Sequence, residues 1–98
     1  MTLGEKQKKF TLMVAKLITW LYAHGYEVTL GDCFRDKRCP YSSTKSKHFE
    51  RLAVDLNLFK GSNYLTEGKD YEEAHAIWTD LGGDEGFEKD MNHFQFSR

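Results

Sequence analysis

The sequence predicts an α+β fold in which two main helices pack on a small antiparallel sheet. Two stretches carry apolar residues at three- and four-residue steps, the spacing of a helix face. Three others read as strands, by alternation and by their β-forming residues. They follow one another as helix, strand, strand, helix, strand.

The first helix is expected over Thr2 to His24. Phe10, Met13, Val14, Leu17, Trp20 and Leu21 form its apolar stripe, and Lys6, Lys8, Lys9, Lys16 and Thr19 its polar face. Gly25 suits the position just past a helix C-terminus, which makes His24 a helix-end residue rather than a ligand. Tyr26 to Leu30 alternates and is rich in β-formers, so it reads as a strand. Gly31 to Lys47 reads as a loop from its clustered Gly, Asp, Pro and Ser. Leu52 to Phe59 is the clearest strand. Leu52, Val54, Leu56 and Leu58 share one face, and Ala53, Asp55 and Asn57 share the other, so Asp55 points away from the core. Lys60 to Gly68 reads as a turn or hairpin tip. Asp70 to Leu81 is the second helix, with Tyr71, Ala74, Ile77, Trp78 and Leu81 as its stripe and Gly82-Gly83 as its stop. His75 falls off that stripe and reads as a surface residue. Asp84 to Lys89 is a loop. His93 to Phe96 is a short last strand with Phe94 and Phe96 inward and His93 and Gln95 on the other face.

Size and charge narrow the possibilities. A chain of 98 residues is one domain by default, residues 1–98. A net charge of −1 offers no global basic field, which argues against nucleic acid as a partner. Locally, Arg35, Lys37, Arg38, Lys45 and Lys47 crowd before His48, as a solvated loop or as a basic rim for a substrate bearing carboxylates. The apolar run from Phe10 to Tyr22 is broken by Lys16 and is too short to span a bilayer, so no membrane insertion is expected. Basic residues precede that run, and Ala23-His24-Gly25 has the form of a signal cleavage site. Its one-faced periodicity and Lys16 favour a helix over a signal peptide. Cys33 and Cys39 suit a disulfide in an oxidising compartment or two free thiols, and their spacing is not a zinc spacing.

The chemistry gathers in Ser46 to Leu56 and Asp90 to Phe96. These segments order His48, Asp55 and His93 as His, carboxylate, His, with Asp90 three residues before the last. Two imidazoles and one carboxylate make the protein half of a catalytic zinc site, leaving a position for water. A spare carboxylate is what such a site needs as general base. The separation of His48 and Asp55 puts them on opposite faces of a continuous strand, so both reach one ion only if the chain bends at Phe49 to Arg51. The bland alternative is an exposed strand aspartate and a satisfied histidine near the C-terminus.

At these residues the chain resembles the zinc D-alanyl-D-alanine carboxypeptidases and L-alanyl-D-glutamate endopeptidases that cleave peptidoglycan stem peptides. The vancomycin-resistance dipeptidases and several phage endolysins belong to that group. Ser46, His48, Ala53 and Asp55 match its first motif, Ser-x-His-x-x-Gly-x-Ala-x-Asp. Asp90 and His93 match its second, an acidic residue, two positions, then His. Gly25, Tyr26, Thr29, Gly31 and Arg35 follow its Gly-Tyr-x-x-Thr-x-Gly-x-x-x-Arg stretch, and Trp78 to Gly83 its Trp-x-x-Leu-Gly-Gly run. Arg51 departs from the pattern where the family has glycine. The acidic residue is Asp90, as in the endopeptidase branch, where the dipeptidases use Glu.

The resemblance implies the fold shared by these peptidases and the hedgehog signalling domain. It implies His48, Asp55 and His93 as ligands of a Zn2+ ion, Asp90 as catalytic base, and Arg35 as the residue that grips the substrate or the oxyanion. Ser46 and Gln95 are candidate substrate contacts, with a turn residue and a ligand-orienting residue as their respective alternatives. The implied activity is hydrolysis of peptidoglycan stem peptides, foremost L-alanyl-D-glutamate cleavage by a phage or prophage endolysin. The expected protein is a monomer held in the host cytoplasm and released to the wall by a holin. A D-alanyl-D-alanine carboxypeptidase, a cytosolic recycling dipeptidase, a non-catalytic zinc module and a metal-free interaction protein are the competing readings.

Overall fold

The structure, a computed structural model, describes residues 1–31, 52–86 and 90–97. It is an α+β arrangement of two helices and a small antiparallel sheet. Helix α1 spans Leu3–Ala23 and starts on a capping box. Glu5 N donates to Thr2 Oγ1 at 3.1 Å, while Thr2 N donates to the Glu5 carboxylate at 3.5 Å, so two otherwise orphaned donors are satisfied. Phe10, Met13, Leu17 and Leu21 are buried along one face, at the expected helical steps. Beyond His24, Tyr26 N donates to Leu21 O and Gly25 N to Tyr22 O, with Gly25 at φ 90°. That is the paired-bond helix stop that a glycine favours.

Strands β1 (Glu27–Leu30), β2 (Ala53–Lys60), β3 (Asn63–Tyr64) and β4 (His93–Gln95) form the sheet. β2 is its spine. Its partners are β1 (Leu30 opposite Leu56), β3 (Phe59 opposite Tyr64) and β4 (Val54 opposite Phe94), all antiparallel. The Asp55 carbonyl accepts from Gly31 N on the β1 edge, whereas Leu56 N donates to Asn92 O on the other. β3 and β4 therefore lie end to end along that second edge. Between them the Tyr71 hydroxyl completes the ladder: it accepts from Leu58 N at 3.1 Å and donates to Leu65 O at 2.8 Å. The stretch expected as a hairpin tip is the β2–β3 hairpin, turning at Gly61.

A short 3-10 turn, Gly68–Tyr71, leads into helix α2, Glu72–Asp80. The expected single helix from Asp70 is thus split, its first turn more tightly wound. α2 stops as α1 does. Gly83 N donates to Trp78 O and Gly82 N to Thr79 O, with Gly82 at φ 108°.

The alternation read from β2 is the alternation of the core except at Ala53, which is buried although it shares the face of Asp55. Leu52, Val54, Leu56 and Leu58 are buried with residues of α1, α2 and β4, while Asp55 and Asn57 face the other way and are half-buried. Trp78 is central to the packing. Its ring meets Phe10 at 5.6 Å and Phe94 at 6.0 Å, both edge to face. Its indole N–H donates to Gln95 O at 2.8 Å. Among the described residues no helix is long and apolar enough to cross a membrane.

Gly83 packs directly against the Trp78 indole, and a Cβ there would run into Nε1 and Cδ1 of that ring. Gly83→Ala should therefore cost about 1–3 kcal/mol through forced repacking. Urea unfolding checks this, with Gly4→Ala as the control, since nothing lies within 4 Å of a Cβ at Gly4.

Candidate metal centre

Asp55 and His93 are direct partners across the β2–β4 ladder. Because the Asp55 carbonyl is used on the β1 edge, this pair exchanges no backbone bonds. Pairs of that kind bring opposed side chains closest. Asp55 Oδ1 lies 3.3 Å from His93 Nδ1. The Asp90 carboxylate stands 3.8 Å from the same nitrogen. It is brought there by a turn in which His93 N donates to Asp90 O at 3.0 Å. The His93 ring is buried, at 7% exposure, whereas the Asp90 side chain is 57% exposed at the rim.

Gln95 lies two residues beyond His93 on the same face, and its amide fixes the state of the imidazole. Gln95 Nε2 donates to Asp84 Oδ2 at 2.8 Å, and Ser97 N donates to Asp84 Oδ1 at 3.2 Å. A carboxylate accepts only, so the Gln95 oxygen must be the atom that faces His93. That oxygen is 2.9 Å from His93 Nε2. An amide oxygen also accepts only, so Nε2 carries a proton. Nδ1 is left with its lone pair against the Asp55 carboxylate. Two lone pairs at that distance repel unless a cation, either a second proton or a metal ion, lies between them.

The electrostatics agree. Burial alone would lower the His93 pKa. The hydrogen bonds to Asp55 and Gln95 and the negative charges of Asp55 and Asp90 outweigh it, and the pKa is raised above the usual histidine value.

Of the residues singled out from the sequence, Asp55, Asp90, His93 and Gln95 are brought together. Arg35, Ser46 and His48 lie outside the described residues, as do Cys33, Cys39, Arg51 and the bend expected at Phe49 to Arg51. Among the described residues no group of three or more His, Cys, Asp or Glu side chains is arranged to hold a metal ion. What is described is an imidazole nitrogen and a carboxylate oxygen 3.3 Å apart, donor types that zinc accepts, with the imidazole's other nitrogen committed to an orienting hydrogen bond.

No protein-family model matches the chain, and no curated protein matches it.

Two features escaped the sequence reading. Asn57, next along the outward face of β2, accepts from Asn92 Nδ2 at 3.0 Å and from the Tyr64 hydroxyl at 3.4 Å, extending the polar surface beside Asp55. His75, expected on the surface, is instead half-buried, stacked on Phe94 with ring centroids 4.2 Å apart. It stands four residues after Tyr71 and three before Trp78, so its spacing does place it beside the apolar stripe. His24, by contrast, caps α1 as expected, its ring stacked on Trp20.

The two inner histidines respond to pH in opposite senses. In metal-free protein the raised His93 pKa makes its contribution to stability complete below about pH 6.5, and that contribution is lost as pH rises through the folded-state value. Burial lowers the His75 pKa, chiefly by desolvation, so stability is lost there as pH falls below about 6.5. Asp55→Asn removes the charge that favours the His93 cation and should bring its pKa down. NMR titration of the His93 ring in chelator-treated wild type and Asp55→Asn measures this. An unchanged pKa would mean the two side chains do not interact.

Proposed function

We propose that this chain is a zinc peptidase acting on peptidoglycan stem peptides, an L-alanyl-D-glutamate endopeptidase of the phage-endolysin kind. The observation that carries the reading is the Asp55–His93 pair, with His93 Nδ1 turned by Gln95 toward a carboxylate oxygen at 3.3 Å and Asp90 beside it. The peptidase motifs require those residues to meet from distant parts of the sequence, and the core alternation of β2 gives a physical reason for Asp55 to face outward. The fold implied by the resemblance is part of the same proposal.

On this reading His48, Asp55 and His93 would hold a zinc ion, which when bound would lower the pKa of a water toward ~7 and polarise a peptide carbonyl. Asp90 takes a proton from the attacking water and returns one to the leaving amine. Its exposed place at the rim suits that traffic. Arg35 pairs with the developing anionic oxygen or with a substrate carboxylate. Gln95, held between His93 and Asp84, orients the imidazole, and Ser46 contacts substrate. An aspartate at position 90 rather than glutamate favours the endopeptidase branch.

Purified protein should bind one zinc ion per chain, measured by metal analysis after dialysis, and absence of bindable zinc removes the enzyme reading. Mass spectrometry of digested peptidoglycan should then reveal new N-terminal D-glutamate ends. Released D-alanine would instead assign a carboxypeptidase, and bound zinc without any cleavage a non-catalytic module. Asp90→Ala should retain zinc and lose about 10²–10⁴-fold of the cleavage rate, the range of a general base. Full activity in that variant would take Asp90 out of the mechanism.

A further inference from the structure

His75 is placed to do more than fill the core. Its Nε2 lies 2.7 Å from the carbonyl oxygen of Met91. A carbonyl only accepts, so Nε2 carries the proton and donates. One face of the ring stacks on Phe94 at an interplanar angle of 14°. The chain at Gly86 closes on the ring as well: a Cβ there would stand 2.7–2.9 Å from Nδ1, Cγ and Cε1, so no side chain fits between them. Nδ1 is buried without a hydrogen-bond partner among the described residues, as suits a bare lone pair. Ring, tautomer and donor direction are all set.

The acceptor is what matters. Met91 belongs to the turn in which Asp90 O accepts from His93 N. Three residues along α2 from His75, less than one helical turn, Trp78 donates to Gln95 O at 2.8 Å. One face of α2 thus grips the backbone on both sides of His93, through Met91 before it and Gln95 after it.

We propose that His75 is a positioning residue, clamping the Asp90–His93 turn to α2 and thereby setting the spacing between the Asp90 carboxylate and His93 Nδ1. Its consequence for catalysis rests on the zinc-peptidase reading above; the clamp itself does not. A merely space-filling histidine would be replaced without local effect by a ring of the same shape. A clamp depends on the N–H.

The test uses the full chain with His75→Phe, which keeps a stacking ring but removes the donor. It adds His75→Gln, whose amide nitrogen is the same number of bonds from Cα as Nε2. In chelator-treated protein, NMR hydrogen exchange is followed at the amides of His93, bonded to Asp90 O, and Leu56, bonded to Asn92 O. Tyr26, bonded to Leu21 O, is the remote control. His75→Phe should speed exchange at His93 and Leu56 about tenfold with Tyr26 unchanged, the mark of local opening, and His75→Gln should restore protection. Zinc affinity, read by competition with a chromophoric chelator, should fall about tenfold in His75→Phe and recover in His75→Gln. Unchanged exchange at His93, or an equal loss at all three amides, overturns the clamp. A wild type that binds no zinc sinks the peptidase reading alone, because the exchange pattern still decides the clamp. Should His75→Phe not fold, the ¹⁵N shifts of the wild-type ring decide. A protonated Nε2 and bare Nδ1 are expected, and the reverse tautomer overturns the proposal.

Discussion

The β2–β4 register is the constraint on which the rest depends. With Val54 opposite Phe94, both side chains are buried, and the next pair along, Asp55 and His93, falls on the opposite face. A slip of one residue would exchange the faces, sending carboxylate and imidazole into an apolar core and phenylalanine outward. The register is held at both ends, by Leu56 N donating to Asn92 O at 2.8 Å and Phe96 N donating to Leu52 O at 2.9 Å. Hydrophobic burial on one side of the sheet therefore creates the polar pair on the other.

Trp78 ties that register to the helical layer. Burying an indole N–H without an acceptor would forfeit a hydrogen bond inside the core, and the Gln95 carbonyl supplies one. The same carbonyl accepts from Asp84 N at 3.0 Å, immediately after the helix stop at Gly82 and Gly83. Asp84 then holds the Gln95 side chain, which holds His93. The path from the centre of the core to the imidazole is thus short and made of directional contacts.

Local regularities made much of this legible in the sequence. The alternation in Leu52 to Leu58 placed Asp55, and that in His93 to Phe96 placed His93 on the face away from Phe94 and Phe96. The capped ends of both helices were readable from Gly25 and Gly82-Gly83. What escaped were contacts whose partners lie far apart in the chain and obey no period. Nothing local marks the Tyr71 hydroxyl as the group that fills the ladder between β3 and β4, since its partners, Leu58 and Leu65, are chosen by how the 3-10 turn docks. Nor does any spacing announce that Asp84 will fix the Gln95 amide. His75 was misplaced for a different reason. It falls off the apolar stripe proper, yet its spacing from Tyr71 and Trp78 sets it at the stripe's edge. An imidazole can enter that stripe because one nitrogen finds a carbonyl and the rest of the ring behaves as an aromatic surface.

His93 within β4 and His75 stacked on it show how environment divides one side-chain chemistry into two tasks. His75 meets an aromatic ring, a glycine and one carbonyl acceptor, surroundings that favour the neutral form. His93 is the more deeply buried of the two, yet it meets two carboxylates and an amide oxygen. The desolvation that rules at His75 is overcome at His93 by hydrogen bonds to Asp55 and Gln95, with the charges of Asp55 and Asp90 adding to them. A neutral histidine on the core side can hold backbone without adding positive charge beside the site, which would compete with any cation bound between Asp55 and His93. A cationic residue at position 75 would oppose that cation, and an aliphatic one would release Met91. The neutral donor is the choice that serves both the packing and the charge.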